Sequence, residues 1–316
     1  MPVTSQQPSG FFEIAREPSS ITFEAFSESY LVPEKPVVIE GVGNDWLARQ
    51  RWTESYLRER LAQESSASAA SLWYWMDRDS LNEDYSTPEF VYQCLDAPST
   101  FPRNQHNRIW VNKKEDMSSW HYDGGIVNVF NVQVKGRKEW FLVSPDTPLD
   151  CYPFTNFCII DGKSDDERFA DKIHTRFFLN EGDMVYIPPV WFHKVISCEK
   201  ENINLNWLFT KKATAATSAT LKREVERYMI NDYLTQHRFR WVRQFAQQFN
   251  RHAPGYMRII WRYDKPIETP YQISTWGLLA RFAKELGRLG KTILHANKIK
   301  PYTKTLSTPK RLQKST

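Results

Sequence analysis

The chain has 316 residues, with 42 Lys+Arg against 37 Asp+Glu (formal net charge +5), 41% hydrophobic and 14% aromatic residues. That composition fits one large folded domain or two medium ones and excludes a disordered chain. No stretch is long and apolar enough to predict a membrane span, and MPVTSQQPSGFFEIAREPSS lacks the basic start and apolar block of a signal peptide.

The predicted order is mixed, then β, then α. Residues 1–20 read as an N-terminal tail. A helix follows in TFEAFSESYL, then a strand in PVVIE (36–40), a turn in GVGND and a second helix from Thr53, which is placed to cap it. Residues 63–70 form a polar spacer, and SLWYWM (71–76) is strand-like. Ser86-Thr87-Pro88-Glu89 has the form of a helix start with Ser86 as the cap.

From 109 to 209 short β segments dominate: RIWVN, WHYD, IVNVFNVQV, KEWFLV, HTRFFL, DMVYIP, WFHKVIS and NINLNWLF. Turn signals separate them, and the pattern predicts a sandwich or barrel. Beyond Thr210, Leu221, Val225, Tyr228 and Met229 recur at helical spacing, as do Leu278, Phe282, Leu286 and Leu289. The divisions expected are therefore 21–210 as one unit, 211–290 as a helical region and 291–316 as a basic tail. Residues 281–316 hold ten Lys/Arg and one acid, Glu285. Without interleaved aromatics, that end reads as a solvated segment in preference to a nucleic-acid contact. Cys94, Cys151, Cys158 and Cys198 include no CxxC pair, which points to free thiols in a reducing cytoplasm.

The segment 118-SSWHYDGGIVNVFNVQVKGRKEW-140 places His121 and Asp123 two apart among β-branched and aromatic residues. Alternate strand residues share a face, so imidazole and carboxylate point the same way. His193, in DMVYIPPVWFHKVIS, is the candidate third ligand. Two histidines and a carboxylate form a facial triad, which leaves positions on a ferrous ion open for a co-substrate and oxygen. His106, His174, His237, His252 and His295 sit in turn-like, amphipathic or basic settings and read as structural. Trp73, Tyr74, Trp75, Trp120, Tyr122, Trp191 and Phe192 either line a substrate groove or fill a core; core is the preferred reading.

Several ordered blocks over residues ~20–210 resemble the JmjC/cupin-type dioxygenases that use Fe(II) and 2-oxoglutarate, in particular the compact hydroxylases similar to the factor-inhibiting-HIF asparaginyl hydroxylase. The blocks are PVVIEGVGNDW with WTESYLRERL, then WHYD, QVKGRKEWFLVSP, GDMVYIPPVWFHKVIS and NLNWLF. The resemblance implies a double-stranded β-helix (jelly-roll or cupin) core with N-terminal α/β elements and a C-terminal helical region. It makes 21–210 the catalytic domain and gives iron to His121, Asp123 and His193. It assigns the distal carboxylate of 2-oxoglutarate to Lys138, with Ser118 as a hydroxyl donor and Asn206 as a polar neighbour of the co-substrate. The spacing between HxD and lysine carries about two extra residues, so the family's asparagine is Asn128 or Asn131. Lys135 competes with Lys138 but reads as exposed.

The implied reaction consumes 2-oxoglutarate and O2 and hydroxylates a C–H bond. A protein or peptide side chain is the first choice of substrate, and a small-molecule intermediate the second. A catalytically silent cupin-like binding protein is the alternative from another class. A homodimer through the C-terminal helices is expected from relatives that form one.

Overall fold

The computed structural model describes residues 11–62, 73–76, 81, 83–95, 107–147, 149–158, 169–210, 218–252 and 274–294. The strands are β1 (Ala15–Pro18), β2 (Val37–Glu40), β3 (Trp73–Met76), β4 (Asn107–Lys113), β5 (Met117–His121), β6 (Asn128–Lys135), β7 (Lys138–Val143), β8 (Thr175–Leu179), β9 (Met184–Ile187), β10 (Phe192–Ser197) and β11 (Glu201–Phe209). They form a seven-stranded sheet, β1-β2-β9-β6-β11-β4-β3, and a four-stranded sheet, β5-β10-β7-β8. This is the jelly-roll arrangement expected for the β-rich segment.

Alternation along the strands decides which faces meet. In β11, Ile203, Leu205, Trp207 and Phe209 point to one side, and Asn204, Asn206 and Leu208 to the other. In β6, Phe130, Val132 and Val134 share the first side, and Val129, Asn131 and Gln133 the second. The first side packs on N-terminal helices: α1 (Phe23–Phe26) with the π-turn Ser27–Leu31, α2 (Ala48–Arg51), α3 (Glu54–Ala62) and α4 (Glu89–Leu95). Thr53 caps α3, its hydroxyl accepting from the Tyr56 N–H at 3.1 Å. Helix α4 begins at Glu89, and the Pro88 carbonyl accepts from the Val91 and Tyr92 N–H groups. Its start thus lies at Pro88, later than a Ser86 cap implies.

The second side faces the four-stranded sheet, and Val38, Val129, Val185 and Leu208 meet Trp140, Leu142, Phe177 and Val195 there. The outer face of the small sheet is covered by α5 (Ala219–Gln236), with Leu221 and Val225 against Trp120, Tyr122, Phe141 and Phe192. Trp120, Tyr122 and Phe192 are therefore core. Ser218 caps α5 by accepting from the Leu221 N–H at 3.0 Å. Helices α6 (Arg240–His252) and α7 (Thr275–Leu294) pack with α5 through Ile230, Leu234, Ala246, Leu278 and Leu289. Leu286, expected on the packed stripe, is exposed. No helix among the described residues is long and apolar enough to cross a membrane.

Residues 15–18, read from sequence as part of a tail, form a strand parallel to β2. AREP has no alternation to betray it, and its strand character comes from pairing with β2. The polar spacer at 63–70, residues 1–10, 295–316, His106 and His295 lie outside the described residues.

Gly136 turns the chain from β6 in one sheet to β7 in the other with φ +80°. A Cβ there would stand 2.4 Å from the Glu201 carbonyl oxygen. Gly136→Ala is expected to cost about 1–3 kcal/mol of stability. A lower denaturant midpoint at unchanged slope checks it.

Candidate metal centre

β5 and β10 are antiparallel neighbours, and their ladder sets His121 directly opposite His193. Opposite residues on a ladder share a face, and the two imidazole centroids are 4.3 Å apart. Asp123 lies two residues beyond the end of β5, in the turn that follows it. Its Oδ2 is 3.8 Å from His193 Nε2. One ligand atom from each of the three residues falls within 4.8 Å of the others.

Each imidazole is held from behind. His193 is buried, with Nδ1 3.0 Å from the Trp191 carbonyl oxygen. An N–H donated there puts the lone pair on Nε2, the atom facing Asp123. His121 stacks on Phe157, centroids 5.2 Å apart with the planes at 21°. The segments leading to and from the ligands are strained: Val190 and Ile126, both β-branched, have φ 56°, and Gly125 has φ 89°. Such conformations persist only where surrounding contacts enforce them.

Lys138 is buried on the same inner face, with Leu142, the partner of His193, four residues further along β7. Its ammonium donates to Asn112 Oδ1 at 2.6 Å. Burial pulls its pKa down to about 7, against a smaller upward pull from Asp116. The remaining polar groups of the interior are mostly amides. Asn204 donates to Asn131 Oδ1 at 2.8 Å and to Gln133 Oε1 at 2.6 Å. The Oδ1 atoms of Asn204 and Asn206 and Trp140 Nε1 are buried with no hydrogen-bond partner among the described residues. The buried ammonium of Lys138, the orphaned Trp140 N–H and amides that can present either end give this interior donors for a polar anion. The imidazole–carboxylate–imidazole set suits a first-row divalent ion with open positions. The residues present therefore fit both groups.

The ladder separates the two asparagines left open by sequence. Asn131 pairs with Asn206 and faces inward; Asn128 pairs with Phe209 and accepts from the Tyr186 hydroxyl at 2.7 Å on the helix-covered side. The assignment of Asn128 near the co-substrate is thereby corrected, because strand parity turns it away. Ser118 sits opposite Val195 on the edge strand β5 and is exposed, not buried beside Lys138. A register irregularity between His193 and Val195 sets its placement. Lys135 points outward, 3.5 Å from Glu201.

Sequence reasoning passed over Arg108. It lies on β4 opposite Asn206, and burial lowers its pKa to about 10 while Asp123 pulls it up. The available signal was an arginine opening the apolar run RIWV.

Residues 63–215 match the cupin-like domain. The chain is 21% identical over 221 residues to arginine-specific demethylase JMJ22 of Arabidopsis thaliana, covering 57% of this chain and 43% of that protein. It is 21% identical over 255 residues to the bifunctional arginine demethylase and lysyl-hydroxylase psr-1 of Caenorhabditis elegans, covering 61% and 63%. To tRNA wybutosine-synthesizing protein 5 of Gallus gallus it is 36% identical over 132 residues, covering 40% and 38%. The chain thus spans about half the length of the curated relatives it matches. The solved structure of E. coli ycfD aligns with TM-score 0.42 at 14% identity, over 85% of this chain and 68% of that one.

The lowered pKa of Lys138 gives stability a pH dependence. Between about 7, its folded value, and 10.5, its unfolded one, the unfolded chain holds a proton that the folded chain has released. Stability therefore rises with pH across that window and bears the full cost of the buried charge below it. Lys138→Met is expected to be more stable than wild type below about pH 7, with the difference shrinking as pH rises. Denaturant titrations through the window check it.

Proposed function

We propose that this chain, whose residues 63–215 match the cupin-like domain, is a JmjC-type Fe(II)- and 2-oxoglutarate-dependent oxygenase that hydroxylates a C–H bond of a protein or peptide side chain. The observation that carries the reading is the His121–Asp123–His193 donor set on the same inner face as the buried ammonium of Lys138. In this reading the three residues hold the metal and Lys138 binds the distal carboxylate of 2-oxoglutarate.

When bound, iron with 2-oxoglutarate and O2 supplies the oxidising chemistry: the co-substrate leaves as succinate and CO2, and one oxygen atom enters the substrate C–H bond. The protein's own contribution is positional. The Trp191 carbonyl fixes the His193 tautomer, so that Nε2 is free to coordinate. Lys138 meets a carboxylate as a compact cation, and Asn112 holds its ammonium in place. Asn131 and Asn206 offer amides from the opposite sheet, and the apolar wall of Val129, Val185 and Leu208 limits water. An anion bound at Lys138 restores the proton that burial disfavours.

Relatives named as arginine or lysine demethylases and as a lysyl-hydroxylase support a protein substrate. A second reading, a nucleoside in RNA, has one observation in its favour: the 36% identity to the tRNA wybutosine-synthesizing protein. The four cysteines are free thiols, in keeping with a reducing cytoplasm. The C-terminal helical region exposes Phe239, Trp241, Phe245 and Trp276, with Trp241 67% and Trp276 81% accessible. That apolar surface is the physical basis for proposing a homodimer.

Iron-loaded protein given 2-oxoglutarate and air is expected to form succinate, and to form more with a peptide pool than with tRNA; the reverse order favours the second reading. His121→Ala and Asp123→Ala should abolish turnover with the fold retained, whereas Lys138→Ala should mainly raise the 2-oxoglutarate requirement. Turnover retained in both ligand variants overturns the site. For the dimer, sedimentation should give twice the chain mass for wild type and the single-chain mass for Trp241→Glu/Trp276→Glu.

A further inference from the structure

Helix α5 does more than cover the small sheet. Glu224 projects from its buried stripe, between Leu221 and Val225, and is fully buried. Glu224 Oε1 accepts from the Gly125 N–H at 2.7 Å, and Oε2 accepts from the Tyr122 hydroxyl at 2.8 Å. Arg227 donates to the same carboxylate through Nε at 2.7 Å and its terminal nitrogen at 2.6 Å. The two anchored residues flank Asp123. Tyr122 is also tied through its backbone: its N–H donates to the Asn156 carbonyl at 3.3 Å, and its carbonyl accepts from the Asn156 side-chain amide.

The turn has no regular structure of its own to fix it. Gly125 and Ile126 both take positive φ, an arrangement that neighbouring contacts must enforce. At Gly124 the absent side chain leaves room for Arg227, whose guanidinium nitrogen lies 2.5 Å from where a Cβ would be. Burial alone would push the Glu224 carboxyl up, but Arg227 first, and then the Gly125 and Tyr122 hydrogen bonds, bring it below its ordinary value. The clamp is thus a buried anion satisfied from three sides.

We propose that Glu224 is a positioning residue: through Tyr122 and Gly125 it holds the turn that carries Asp123, and so sets the carboxylate opposite the two imidazoles before the metal arrives. The inference rests on the reading of His121, Asp123 and His193 as metal ligands. Its physical sense is preorganisation, in which the helix supplies rigidity that the edge strand and its strained turn lack.

The test uses the full chain with cobalt(II), whose visible spectrum reports coordination without turnover. The proteins compared are wild type, Tyr122→Phe, Glu224→Gln and His193→Ala. Tyr122→Phe deletes one hydroxyl and leaves the Glu224–Arg227 pair and the Gly125 hydrogen bond in place, so it decides the matter even if Glu224→Gln fails to fold. The expected result is cobalt affinity weaker by about tenfold to a hundredfold in Tyr122→Phe, with a changed spectrum and a metal-free melting curve close to wild type. Affinity and spectrum equal to wild type in Tyr122→Phe overturn the proposal. Cobalt bound equally by wild type and His193→Ala overturns the ligand assignment itself, and the proposal with it.

Discussion

Everything at the centre depends on one cross-strand pair. A β-ladder brings opposite residues to a Cβ separation of about 5 Å, and at the end of β5 it does so for two imidazoles. The ladder brings His121 and His193 together, and the Trp191 carbonyl and the Phe157 ring then hold the two imidazoles in place. The third donor lacks this support. Asp123 comes from a turn, so its position depends on what packs behind that turn. The division is physical: ladders give precision along a strand, and turns must import it from elsewhere.

The interior they face is lined mostly by amides, with the cations Lys138 and Arg108 among them. Strands β6 and β11 alternate apolar residues with amides, so one side builds a core with the N-terminal helices while the other presents Asn131, Gln133, Asn204 and Asn206. Amides partly satisfy one another at small cost, and buried charges do not. Lys138 stands out in such a lining, and its pKa of about 7 measures how poorly the surroundings replace water. A carboxylate brought to this lining would relieve the buried ammonium, which a neutral molecule of similar shape would not.

How far this was legible in the sequence follows from what each feature depends on. A strand with clear alternation, such as TRFFL, announces itself because one face is buried and parity shows which. Two histidines near strand ends and an aspartate two residues on carry their own chemical signature. The two asparagines of β6 could not be told apart, because a shift by an odd number of residues reverses a side chain's face and only the ladder with β11 fixes parity. The placement of Ser118 was hidden for a related reason: a register irregularity intervenes, which spacing along one strand cannot reveal. β1 was hidden because its strand character belongs to a partner. Glu224 lies 102 residues from Tyr122, and its one local sign is a carboxylate on an otherwise apolar helical stripe.

The loop that backs His121 also has an outer side. Phe157 stacks on the imidazole from within, while from without Glu285 accepts from the Phe154 N–H and Arg288 donates to the Cys151 carbonyl. Both of those residues belong to α7, the last helix described. On a ribosome the jelly-roll strands emerge first, ending with Phe209, and the helix that clamps this loop follows from Thr275 onward. The β-framework can therefore be paired while this loop is still unclamped, so the loop is fastened only after α7 has been made.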